Sequence, residues 1–250
     1  MEGEKKDHRE EERQAEKQNR SSYRYRVDSM EEKPDGQGRE AAAVYRTDSS
    51  GRPVKKQGEY TLEDYLALPE DERWELIDGH LIRMDSPTTE HQIISGMLHV
   101  AFFNCIKEHA AACKVLAAPT DVQLDMDDRT IVEPDLIILC DMKKLRRKRI
   151  IGAPDLLVEI LSPSTNSKDM VLKNRKYQRA GVREYWMVDP KARQVIVNIF
   201  ENDRGEFRSR IYDFDEEVPV WISEGRCRID LAPIGRELDE IYGEEDAEKT

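Results

Sequence analysis

Asp135, Glu159 and Lys173 are the residues whose types and spacing could do chemistry. Asp135 ends a Glu133-Pro134-Asp135 step inside the apolar run Ile131–Cys140, and Glu159 interrupts the apolar run Asp155–Leu161. Each run reads as a strand, so two carboxylates fall on successive strands. A carboxylate among apolar neighbours is costly unless it is paired or bound to a metal. Oxygen donors at strand ends suit a hard divalent cation. Lys173 lies on the helical pattern after Glu159, at four-residue steps from Asp169 and Tyr177, so the three share a helix face. An ammonium there could stabilise a phosphate or orient a water. Together these groups point to metal-dependent phosphodiester chemistry. Each also has a plainer reading: a strand-end cap for Asp135, a structural ion pair for Glu159, and an exposed Asp-to-Lys pair for Lys173. Glu75, beside Trp74, and His91, near a buried helical stripe, are further candidates that read equally as structural residues.

The elements that must position these groups are legible from periodicity. Tyr60–Leu66 opens the folded part as a short helix, with Thr61 as N-cap, Asp64 three residues on, and Leu62, Tyr65, Leu66 and Leu68 as its buried stripe. Trp74–Met84 reads as a hairpin turning at Asp78-Gly79. Ser86–His109 carries Ile94, Met97, Leu98, Ala101, Phe102, Cys105 and Ile106 at helical spacing. Strands are expected over Lys114–Leu124, interrupted at Pro119, then over Ile131–Cys140 and Asp155–Leu161. Lys168–Ala180 is a helix closed by Gly181, and Glu184–Val188 is a fourth strand. A hairpin follows over Gln194–Glu201 and Glu206–Asp213, then short strands over Val218–Ile222 and Arg226–Ile229. The order helix, three strands, helix, strand describes one α/β domain with a mixed sheet.

Composition bounds the remainder. Residues 1–55 hold thirteen basic and thirteen acidic residues and almost no apolar cluster, so they read as a disordered or partly helical charged arm. The whole net charge of −12 therefore belongs to residues 56–250, read as the folded domain (56–235) and an acidic tail (236–250). An acidic domain disfavours tight non-specific binding to a phosphate backbone. Against that trend, Lys143, Lys144, Arg146, Arg147, Lys148 and Arg149 cluster between two strands, either as a solvated loop or as a phosphate contact. Cys105, Cys113, Cys140 and Cys227 are scattered without a CxxC pair, so free thiols and a reducing cytoplasm are expected. The Cys and His spacing gives no zinc site. The chain carries no apolar run of transmembrane length and no GxxxxGK[ST], GxGxxG or GxSxG pattern.

In this order and spacing, Trp74-Glu75-Leu76-Ile77-Asp78-Gly79, His91, Glu133-Pro134-Asp135, Pro154–Ser164, Asp169, Lys173, Tyr177, Ala180-Gly181-Val182 and Glu184–Pro190 resemble the Uma-two family of restriction endonucleases. That family is part of the PD-(D/E)xK nuclease superfamily. The resemblance covers roughly Tyr60–Asn198 and implies a restriction-endonuclease-like core with an extra N-terminal helix and hairpin and a C-terminal hairpin. It implies a Mg²⁺-dependent DNA endonuclease (Mn²⁺ serving as well) whose metal is held by Asp135, Glu159 and the Ile160 carbonyl. Lys173 would assist the attacking water, with Glu75 or His91 completing the catalytic set. Leu161 stands where the plain pattern has its lysine, and Lys173 on the next helix would replace it in space. Asp155, also preceded by proline, competes with Asp135 but sits at a strand start. DNA is the expected partner, a homodimer would supply one site per strand, and no membrane is involved. The alternative is a catalytically silent nuclease fold that binds nucleic acid or protein, and the charged arm could dock a partner.

Overall fold

The structure is a computed structural model, and it describes residues 23–26, 55–69, 71–109, 112–125, 127–162, 167–201 and 206–247. Most of the charged arm lies outside these residues. Within it, strand β1 (Tyr23–Arg26) pairs antiparallel with strand β12 (Glu206–Asp213) rather than forming helix or coil. Helix α1 (Leu62–Leu66) begins where the Asp64 carboxylate accepts from the Thr61 amide and hydroxyl, at 2.8 and 2.9 Å. Leu62, Tyr65 and Leu68 pack on Trp74 and Leu76, but Leu66 is exposed, so the expected stripe is one residue too wide.

The next strands are β2 (Trp74–Ile77), β3 (His80–Arg83), β4 (Lys114–Ala117), β5 (Val122–Gln123), β6 (Ile131–Val132), β7 (Leu136–Leu139), β8 (Ile150–Ile151), β9 (Leu156–Ile160) and β10 (Glu184–Asp189). The C-terminal strands are β11 (Gln194–Glu201), β12 (Glu206–Asp213), β13 (Glu217–Val220) and β14 (Cys227–Asp230). Helices α2 (Thr89–His109), α3 (Ser167–Ala180) and α4 (Ala232–Ala247) complete the fold. A seven-stranded mixed sheet runs β1-β12-β11-β10-β9-β7-β4, and a five-stranded sheet runs β3-β2-β6-β5-β8.

Alternation along the central strands sorts their side chains between two cores. Leu136, Ile138, Leu156, Val158, Ile160 and Trp186 face Ile94, Leu98, Phe102 and Ile106 of α2. The interposed residues Ile137, Leu139, Leu157, Tyr185 and Met187 face Tyr177 and Val182, together with Val122, Leu124 and Ile150 of the second sheet. A sheet covered on both faces needs apolar residues at nearly every position, which is why these strands read as continuous apolar runs.

Four expectations need correction. The run Ile131–Cys140 is two strands in different sheets, β6 and β7, separated by Glu133-Pro134-Asp135. Pro134 lacks a ladder donor, and the Glu133 amide is diverted to the Glu75 carboxylate at 3.0 Å. Lys114–Leu124 is interrupted around Pro119 as expected, but its halves, β4 and β5, join different sheets. The acidic tail is helical through Ala247, because Ile234 and Leu238 bury one face of α4 against the first core. Lastly, the cysteines are not free. Cys105 of α2 bonds Cys227 of β14, and Cys113 bonds Cys140 across the β4–β7 pair.

Candidate active site

Asp135 and Glu159 meet because of register. Leu136 stands opposite Val158 on the antiparallel β7–β9 pair, and one further step places Asp135 opposite Glu159. Both then occupy the face covered by α3 and the second sheet. The Asp135 carboxylate is fixed at both oxygens. The Ile160 amide donates to Oδ2 at 2.7 Å, and His91 Nε2 lies 3.1 Å from Oδ1. His91 reaches it from the first turn of α2, so the two faces of the sheet communicate at this strand end.

Glu159 is held from α3. Lys173 Nζ donates to Glu159 Oε1 at 3.0 Å and to Glu75 Oε1 at 2.9 Å, and the Tyr177 hydroxyl donates to Glu159 Oε1 at 2.5 Å. The four-residue step between Lys173 and Tyr177 delivers both donors to one oxygen. Gly181 at φ 94° closes the helix and allows the Val182 amide to return to the Tyr177 carbonyl at 3.0 Å. Glu75 comes from β2 of the second sheet, oriented by the Glu133 amide, and Glu133 is itself paired with Arg73. Its hairpin turns at Asp78-Gly79, where both φ values are positive. A Cβ at Gly79 would sit 2.6 Å from the Gly58 carbonyl oxygen. Only glycine fits so close an approach.

The electrostatics follow from crowding. Burial pushes the Glu159 carboxyl up, Lys173 opposes that rise, and the Glu75 and Asp135 charges add to it, leaving it at about 7. Burial works to lower the Lys173 pKa, but the Glu159 and Glu75 charges outweigh it and hold the ammonium above the usual lysine value. Burial, then the Glu159 and Glu75 charges, also raise the Tyr177 phenol well above its usual value. Glu75 and Glu159 thus share one ammonium, and Asp135 stands beside them on His91 and the Ile160 amide. Side-chain exposures of 13% for Asp135, 13% for Glu159 and 17% for Lys173 leave the cluster reachable from solvent.

The side chains of Glu75, His91, Asp135, Glu159 and Lys173 come together in this cluster, and Ile160 joins it through its amide. The sequence reading missed the Tyr177 hydroxyl as a Glu159 donor, although its spacing from Lys173 was the available signal. The Asp169 side chain lies outside the described residues. Lys176 is directed elsewhere, to Asp78 and Asp125 at 2.5 and 3.0 Å. Asp155 is at the opposite strand end, where its carboxylate accepts the Cys140 amide at 2.7 Å, so it is a strand brace rather than a site residue. A second acidic group, Asp213, Asp215 and Glu216, brings its oxygens within 4.8 Å of one another. It stands on the β12–β13 turn, which it braces through the bond from the Asp213 amide to Glu216, at 2.9 Å.

The chain is a mixed α/β protein whose site acids and one lysine gather at a strand end. The family model described as "Putative restriction endonuclease" (Uma2) matches residues 62–224, and the chain belongs to that family. An uncharacterized protein of Synechocystis sp. is 26% identical over 160 residues, covering 63% of this chain and 83% of its own length. The crystal structure of a putative nuclease of the DUF820 family from Anabaena variabilis superposes with a TM-score of 0.56 at 21% identity. The match covers 70% of this chain and 96% of that one. At this identity the likeness concerns the fold. No helix among the described residues is long and apolar enough to cross a membrane.

Proposed function

We propose that the protein is a Mg²⁺- or Mn²⁺-dependent DNA endonuclease. The observation that carries this reading is the charge imbalance at the site: Glu75 and Glu159 share the single ammonium of Lys173, and Asp135 stands opposite Glu159 with its own charge acting on it. One divalent cation would neutralise that excess, and the donors are hard oxygens of the kind Mg²⁺ prefers. Asp135, Glu159 and the Ile160 carbonyl would hold it, with waters completing the shell. When bound, such a cation polarises a phosphoryl oxygen and lowers the pKa of an attached water.

The chain's own groups have separate tasks. The Ile160 amide and His91 fix the Asp135 carboxylate in one orientation. Tyr177 and Lys173 both donate to Glu159 Oε1, which leaves its second oxygen for a cation. Glu75 tethers Lys173, whose permanent positive charge is placed to stabilise a phosphate as negative charge grows on its oxygens. Cleaving both strands of a duplex takes two such centres, and a pair of copies would supply them. Plasmid nicking that requires Mg²⁺ or Mn²⁺ and is abolished by Asp135→Ala and by Glu159→Ala is the expected result. A folded, metal-supplied protein that cuts neither DNA nor RNA would refute the reading.

A second reading, a silent nuclease fold, draws on Leu161 standing where the superfamily pattern has its lysine and on the engagement of Lys173 by two carboxylates. Calorimetry with Mn²⁺ separates the two, since a silent fold lacks a cation site that Asp135→Ala removes.

A further inference from the structure

The basic turn between β7 and β8 is the feature that the site does not absorb. Six of the seven residues from Lys143 to Arg149 are cationic, although residues 56–250 carry the whole net charge of −12. Lys144 folds inward onto the Ala153 carbonyl at 2.7 Å, while Lys143, Arg146, Arg147 and Lys148 remain exposed. Arg149 acts on the Asp121 carboxylate, but Lys143, Lys144, Arg146, Arg147 and Lys148 make no ion pair among the described residues. Asp141 is the sole acid between residues 141 and 154, and its side chain accepts the Lys143 amide at 3.0 Å.

The turn is built rather than loose. A short 3₁₀ turn spans Met142–Lys144, the Arg146 amide donates to the Arg149 carbonyl at 3.0 Å, and Leu145 bridges to Ile150. The base is pinned by the Ile150 amide on the Asp121 carbonyl at 2.9 Å. Arg147 and Lys148 therefore stand at the tip of a fixed hairpin. Charges beyond about 8–10 Å are screened at physiological salt, so a ligand at this tip meets the local cations rather than the acidic whole.

We infer that Lys143, Arg146, Arg147 and Lys148 form a clamp for the phosphate backbone of duplex DNA, holding substrate alongside the carboxylate centre. This rests on the nuclease reading for its substrate. The placement fits. The turn leaves β7 at the end opposite Asp135 and leads into β8, whose Ile150 joins the same core as Leu157 and Tyr177 on the face that carries the centre. From Asp135 to Asp141 the chain covers on the order of 20 Å at about 3.3 Å per residue. A duplex advances about 3.4 Å per phosphate along each strand, so roughly six base pairs bridge that distance. The clamp would position and not specify, because phosphate contacts carry no sequence information.

The test is binding of a mixed-sequence duplex two helical turns long to the full chain, in chelator so that nothing is cut, over a salt series. Replacing Arg146, Arg147 and Lys148 by alanine is expected to weaken binding about tenfold or more at low salt. It is also expected to reduce the slope of log affinity against log salt by roughly two to three. Arg146→Lys with Arg147→Lys keeps the slope, and unchanged thermal melting shows that each variant folds. Equal affinity and slope in the alanine variant, or no duplex binding by the unsubstituted protein, overturns the clamp. So does a loss seen only on vesicles of phosphatidylserine and phosphatidylcholine, which would make the turn a lipid contact. Binding that needs the turn in a protein that never nicks plasmid supports the clamp and sinks the nuclease. Nicking by a protein whose alanine variant binds undiminished does the reverse.

Discussion

At the scale of single residues, Lys173 is the cation on which the buried acids depend. Removing one partner of a buried ion pair typically costs about 3–5 kcal/mol, because the other charge is left uncompensated. Lys173→Met is therefore expected to lower the denaturation midpoint strongly. Because a cation would answer the same imbalance, Mn²⁺ should recover part of the loss, and Glu159→Gln in the same chain should recover part without metal. Urea titrations of the three variants, with and without Mn²⁺, read both effects. Glu184 is a different buried acid, in the core under α2, accepting from Trp186 Nε1 at 2.7 Å and from the Ile222 amide at 2.9 Å. Burial raises its pKa from 4.5 to about 7 despite those bonds. The folded state thus keeps a proton that the unfolded chain gives up. This group's stabilisation is complete below 4.5 and is lost as the pH climbs through about 7. A shift of that size corresponds to about 3 kcal/mol. Glu184→Gln is expected to flatten the decline in stability between pH 5 and 8, whatever its absolute stability. A variant that declines as steeply as the parent would remove Glu184 as the cause.

At the scale of elements, Asp135 and Asp155 make the useful contrast. Both follow a proline and both accept a backbone amide from a neighbouring strand segment, at opposite ends of β7 and β9. Asp155→Ala should cost about 1–3 kcal/mol, the penalty of one orphaned buried amide, and leave Mn²⁺ binding intact. Asp135→Ala should abolish that binding, and calorimetry beside thermal melting distinguishes the two. The contrast also marks what was legible in the sequence. The hairpin at Asp78-Gly79, helix α3 with its Gly181 stop, and the long hairpin β11–β12 announce themselves through turn residues and periodicity. The strand-helix step from Glu159 to Lys173 is readable from spacing, and the two side chains meet at 3.0 Å. The break of Ile131–Cys140 into two sheets was not readable, since an apolar run reads alike whether its partners change or stay the same. Which carboxylate Lys173 would choose was equally hidden: Glu75 arrives from a sheet whose packing no local pattern encodes. The helical end of the chain was masked by its acidic residues, although Ile234 and Leu238 stand four apart on its buried face.

At the scale of the molecule, the two disulfides tie together parts far apart in sequence. Cys105–Cys227 closes a separation of 122 residues, and Cys113–Cys140 closes one of 27. In the chain-entropy picture the longer closure stabilises by about 4–5 kcal/mol. Guanidinium unfolding with dithiothreitol should therefore show an earlier midpoint than without it, and Cys105→Ser with Cys227→Ser should reproduce most of the difference. Identical curves with and without reductant would mean that the thiols are unpaired in solution. The surplus of acids in the folded part has its own consequence. The proposed clamp would work against that surplus, so any binding of DNA to it should fall steeply with salt, as electrostatically steered encounters do.

Lys173 and Glu75 lie 98 positions apart, and His91, Asp135 and Glu159 come from segments between them. A nascent chain leaving the ribosome from its N-terminus displays Glu75, then Asp135, then Glu159, and only afterwards the ammonium that holds Glu75 and Glu159. The charge balance of the cluster is thus incomplete until the last contributing helix has emerged and folded. A chain that stops before that helix would hold the acids without the ammonium that offsets them.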